Sequence, residues 1–161
     1  MILKFALAVS AVATPMVAAD RPGTPAEIAA AAKSCAAAVS ATSITEGRLV
    51  RDGWSLQSRP SDATGGQFRR AGVDMILTTA ALPGANFCAI RARIAGESEF
   101  PAIANAVGKS LHAKNAMKTF AKLAAERPGE AYFDTRSHSV TLSAISVEGG
   151  PGIQISLLPK R

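Results

Sequence analysis

From residue 87 onward the chain alternates. Cys88, Ile90, Ala92 and Ile94 fall on one side of an extended backbone, and Ala89, Arg91 and Arg93 fall on the other. A period of two is the signature of a strand, because successive side chains leave opposite faces of the pleat. The apolar side is expected to meet the core, and the two arginines to meet water. Residues 73–82 are aliphatic and β-branched with weaker alternation, a pattern that fits a strand buried on both faces. Between the two runs, Leu82-Pro83-Gly84-Ala85 fits a type II turn. Pro83 pre-sets φ at the second position and Gly84 accepts positive φ at the third.

On either side of this hairpin the period changes to that of a helix. Thr24-Pro25-Ala26-Glu27 reads as a helix start, with Thr24 as N-cap, Pro25 at the first helical position and Glu27 completing a capping box. Ile28, Ala32, Cys35 and Val39 then recur on one face. That places Cys35 on the buried stripe, where it can lie over Cys88. Residues 20–23 read as a short flexible leader. A first strand is expected over 49–57, with Val50, Trp54 and Leu56 on one face, followed by a polar, turn-rich loop at 58–66.

Beyond Gly96, Ser98 is the expected cap of a second helix, with Glu97 and Glu99 near its positive end and Ile103, Val107 and Leu111 as its stripe. Whether that helix continues through Met117, Phe120 and Leu123 is left open by the pattern, and Pro128-Gly129 marks its end. Residues 131–135, 140–147 and 153–158 complete the chain as strands. The fold class is therefore α+β. The expectation is one two-layer domain with an antiparallel sheet of about six strands, two main helices in αβββ-αβββ order and one disulfide.

Residues 1–19 change the picture of where this domain works. Lys4, the apolar run 5–12 and the small residues Val17-Ala18-Ala19 form a signal peptide, with cleavage expected before Asp20. The remaining 142 residues, 20–161, suit a single α+β domain. They contain no run approaching the roughly 20 apolar residues of a membrane span. In an oxidising compartment a lone pair of cysteines is normally bonded, so Cys35–Cys88 is the expected disulfide. Without Lys4 the chain carries seventeen basic and twelve acidic residues, a formal charge of +5. Arginine exceeds lysine and alanine is abundant, which suggests a bacterial source and makes the periplasm the expected location.

The candidate chemistry is sparse. Asp134, Ser137, His138 and Ser139 are neighbours in sequence, but a catalytic triad needs its groups to converge in space, and no Gly-x-Ser-x-Gly elbow is present. A polar turn explains them better, and no catalytic residue is assigned. Two histidines and one cysteine pair do not supply the convergent ligands of a zinc site, so no metal or cofactor is expected. Glu97 and Glu99 fit the helix dipole better than an acid/base pair. Lys114, Lys118 and Lys122 recur at i, i+4 and i+8, one basic stripe if that stretch is helical. They are candidate binding residues together with Arg91 and Arg93.

These features favour a non-enzymatic periplasmic module, binding or inhibitor-like, whose partner is an envelope protein or an anionic envelope polymer. Nucleic acid is not an expected partner for an exported chain without a recognised motif. The alternatives are a small envelope-directed hydrolase and a periplasmic carrier of a small apolar ligand.

Overall fold

A computed structural model describes residues 20–59, 64–114 and 129–161. The helices are α1 (Pro25–Ala38), α2 (Glu46–Arg51) and α3 (Phe100–Ser110), the last preceded by a single 3-10 turn at Glu97–Glu99. The strands are β1 (Ser55–Ser58), β2 (Gly65–Arg69), β3 (Met75–Leu82), β4 (Ala85–Arg93), β5 (Glu130–Asp134), β6 (His138–Val147) and β7 (Gly150–Pro159). All seven strands form one antiparallel sheet in the order β1-β2-β3-β4-β7-β6-β5. Two meanders, β1 to β4 and β5 to β7, are thus joined along the β4–β7 pairing. The fold class is α+β, as the pattern predicts, with one strand more than the expected six.

Helix α1 forms where its capping box predicts. The Glu27 amide donates to the Thr24 hydroxyl, and the Glu27 carboxylate accepts from the Thr24 amide at 3.0 Å. Its buried stripe of Ile28, Ala32 and Cys35 lies on β3, β4 and β7. Cys35 is bonded to Cys88 of β4, with Cα atoms 5.8 Å apart and both residues fully buried. Helix α3 packs against α1, and its Ser110 hydroxyl donates to the Ala29 carbonyl at 3.1 Å. The sheet residues turned toward the helices are apolar: Leu77, Ile90, Ile153, Ile155 and Leu157 are all fully buried. Each such side chain contributes about 2 kcal/mol by leaving water.

Four details differ from the sequence pattern. Residues 49–57 do not form one strand. Leu49 belongs to α2, whose end is closed by Asp52 and by Gly53 at φ 88°, so only Ser55–Ser58 is extended. Trp54 is buried between these elements, while Val50 and Leu56 are exposed. The additional strand is β2, whose Gly65-Gly66 reads as turn chemistry in the sequence. A Cβ at Gly65 would meet the Thr79 carbonyl oxygen at 2.2 Å, so here glycine serves close strand approach.

The third difference concerns α3, whose cap position is Glu99 rather than Ser98, with no side-chain cap. Pro101 sits in its first turn, where a missing N–H costs little. Finally, β3 is buried on one face only: Met75, Leu77 and Thr79 are buried, whereas Ile76, Thr78 and Ala80 are half-buried. Helices α1 and α3 pack together on one side of the sheet, and among the described residues no helix covers the other side. The second hairpin turns at Glu148-Gly149, with Val147 opposite Gly150, and Pro151-Gly152 lies inside β7. By contrast, the Pro83-Gly84 turn closes Leu82 onto Ala85, with Gly84 at φ 84° as the type II turn requires.

Two outcomes follow. Cys35→Ser and Cys88→Ser should each lower the unfolding free energy by about 4 kcal/mol, as expected for a bond closing a loop of this length; chemical denaturation of each variant measures it, and unequal losses would show that the sulfurs act separately. The second concerns Glu27, whose carboxyl is held down to about 2 from its ordinary 4.5, first by hydrogen bonds from Arg21 and then by the Thr24 amide. A depressed carboxyl stabilises the fold above its unfolded-state value, and the contribution is lost as pH falls through the folded value. Wild type should therefore lose its advantage over Glu27→Gln between pH 4.5 and 2. Denaturant titrations across that range test this, and a constant difference would refute it.

Candidate functional site

The open face is built by strand parity. Because Cys88, Ile90 and Ala92 point into the core, Phe87, Ala89, Arg91 and Arg93 point away from α1. The registers continue this face across the sheet. Arg69 of β2 lies opposite Ile76 of β3, Ile76 opposite Arg91 of β4, and Arg91 opposite Gln154 of β7. The neighbouring rank carries Gln67, Thr78, Ala89, Ser156, Thr141 and Tyr132.

At one end of this face is a cleft of about 620 Å³ whose walls include Arg69, Arg91, Arg93, Asp20, Asp74 and Glu148. Arg93 donates from Nε to the Asp74 carboxylate at 2.9 Å and from its terminal nitrogen to the Asp20 carbonyl oxygen. Arg69 lies 3.6 Å from the Asp20 carboxylate. Arg91 is exposed and has no hydrogen-bond or ion-pair partner among the described residues. The cleft thus holds two arginines already engaged and one guanidinium facing solvent.

Asp20 lines the cleft, and residues 20–23 are held in place, which corrects the expectation of a flexible leader. The Asp74 amide donates to the Arg21 carbonyl at 2.8 Å and the Gly23 amide to the Arg93 carbonyl at 2.9 Å. Arg21 and Val73 form a parallel bridge. The Arg21 guanidinium in turn grips Glu27, with contacts of 2.6 and 2.9 Å. The sequence signal for this anchoring was the Arg21–Glu27 pair beside a capping box, which is visible only once Thr24 is known to start a helix.

The other candidates are dispersed. Lys114 is exposed just past α3, and Lys118 and Lys122 lie outside the described residues. His138 is buried. Its Nε2 contacts the Val39 carbonyl oxygen at 3.0 Å, and its Nδ1 contacts the Ser137 hydroxyl at 2.9 Å. A carbonyl can only accept, so Nε2 carries a proton and donates to Val39, while Nδ1 shares a hydrogen bond with the Ser137 hydroxyl. Asp134 takes no part. It accepts from Ser139 at 2.9 Å and pairs with Lys160 at 3.0 Å, contacts that lower its pKa. His138 therefore joins β6 to the end of α1. Glu97 and Glu99 form the turn before α3, where the Glu99 carboxylate accepts from the Ala95 amide at 3.1 Å. Among the described residues, no group of three or more His, Cys, Asp or Glu side chains is placed to hold a metal ion.

Fold and site together define a two-layer α+β protein with a disulfide-tied core and an arginine-lined cleft on the open sheet face. No protein-family model, no curated protein and no solved structure matches the chain.

If His138 is a structural tie, His138→Ala should cost about 3 kcal/mol, because it opens a core site and leaves a buried carbonyl unpaired. Ser137→Ala, at an exposed hydroxyl, should cost less than about 1 kcal/mol. Thermal or denaturant unfolding of the two variants compares them, and equal small losses would remove the assignment.

Proposed function

We propose that this chain is an exported module of the bacterial periplasm that acts by binding an anionic envelope component rather than by catalysis. The observation that carries the reading is Arg91: an exposed guanidinium without a partner among the described residues, set in a cleft beside Arg69 and Arg93. A planar donor fork of this kind suits carboxylate or phosphate oxygens. The Cys35–Cys88 bond accords with an oxidising compartment. No helix among the described residues is long and apolar enough to cross a membrane. The signal-like pattern of residues 1–19 supplies the route of export.

The geometry favours this reading over the two alternatives. A hydrolase would look to His138, whose two ring nitrogens are both engaged in holding the fold. A carrier of an apolar ligand would use space between helix and sheet, whereas the arginine-lined cleft opens on the face turned away from α1.

The test is retention on the insoluble envelope fraction of the source cell, at low and at moderate salt, for wild type and Arg91→Ala. Wild type should bind with strong salt dependence. Removing one exposed charge contact should weaken retention about fivefold. Equal retention of the two proteins would overturn the cleft as the binding site.

A further inference from the structure

The cleft already contains a ligand of a kind, and it belongs to the chain itself. Asp20 lines the cleft, at the end of a short strap of residues 20–23 bonded to residues 72, 74 and 93, and presents two groups to the arginines. Its carbonyl oxygen accepts from Arg93, and its carboxylate lies 3.6 Å from Arg69. Arg21 completes the arrangement by pairing its backbone in parallel with Val73, through one bond of 2.8 Å to its carbonyl and a longer one of 3.4 Å from its amide. A peptide carbonyl, an adjacent carboxylate and an extended backbone are the features of an acidic peptide.

Resting on the proposed anion-binding role of the cleft, we infer that its ligand is an acidic peptide segment that takes the place of Asp20. Three features of the site make the exchange feasible. The Asp20–Arg69 contact is long, and both side chains are substantially exposed, so water and an incoming carboxylate compete for it readily. The strap has a fixed point behind Asp20, because Arg21 is held to Glu27 at the start of α1 and Gly23 is bonded to Arg93. Asp20 can therefore leave without unmaking the helix cap.

Charge supplies the third feature. With Asp20 in place, three guanidiniums face three carboxylates along the cleft walls. With it withdrawn, the same three guanidiniums face only two carboxylates, those of Asp74 and Glu148. Asp20 is thus a tethered competitor, and Arg91 is available to a second acidic residue of the incoming segment.

The experiment measures dissociation constants by calorimetry for the chain expressed with residues 1–161 and recovered after export. The probes are an acetylated, amidated hexapeptide of alternating Asp and Gly, and inorganic tripolyphosphate, each in low salt. Asp20→Asn keeps the backbone carbonyl and removes the competing charge, so it should bind the hexapeptide about threefold more tightly than wild type. Arg91→Ala should bind it about fivefold more weakly. Unchanged hexapeptide affinity in Asp20→Asn would overturn the tethered-competitor assignment.

Tripolyphosphate binding that depends on Arg91, without hexapeptide binding, would overturn the peptide inference and leave the anion-binding reading standing. Indifference of both probes to Arg91→Ala would overturn both. The expected result is hexapeptide binding that responds to both substitutions in opposite directions.

Discussion

The covalent tie between α1 and β4 sets the orientation of everything else. Cys35 lies on the buried stripe of α1, and Cys88 lies in the strand that joins the two meanders. Once Cys88 faces the helix, parity leaves no choice for its strand. Ile90 and Ala92 face the core, and Arg91 and Arg93 face the other way. A shift of one residue in the register of β4 would bury both arginines and expose Ile90, so hydrophobic burial and the disulfide enforce the same alignment. The bond adds stability mainly by restricting the unfolded chain, and its location also decides which face of the sheet carries charge.

Having both main helices on one side gives the sheet two unlike faces. The covered face is aliphatic and closely packed, and in β2 the approach is tight enough to require Gly65 against the backbone of β3. The open face is mixed: hydroxyls, amides and half-buried apolar groups along its centre, and a cluster of opposed charges at the end where β2, β3 and β4 meet residues 20–23. Charges on that face keep access to water, so they need no full internal compensation. This is why an arginine such as Arg91 can lack a partner among the described residues at no large cost to folding.

Polar groups that do lie within the fold act as ties. The buried imidazole of His138 spans β6 and the end of α1, with each ring nitrogen satisfied. Buried Thr79 accepts from the Gly66 amide through its hydroxyl at 3.1 Å and so fastens β2 to β3 at the site where Gly65 makes its closest approach. At the cleft, Arg93 joins Asp74 to Asp20. In each case a side chain links segments distant in sequence, and the Arg93 contacts lie in the wall of the cleft.

The sequence by itself determined the features governed by local periodicity and local chemistry. The α1 capping box, the Pro83-Gly84 turn, the outward direction of Arg91 and Arg93 and the inward direction of both cysteines follow from residues within a few positions of one another. Features that depend on what packs against a segment were decided only by tertiary structure. Gly65 and Gly66 read locally as a turn and become a strand because β3 pairs with them, and at Gly65 it approaches too closely for a side chain. The run around Leu49 divides between helix and strand because Leu49 and Trp54 each find a place in the core. Residues 20–23 read as loose chain and are held because Arg93 and residues 72–74 lie beside them. The cleft belongs to this second class: Arg69, Arg91 and Asp20 are far apart along the chain, and only strand pairing and the strap bring them together. Local pattern can specify which way a side chain points, but long-range pairing determines what it meets there.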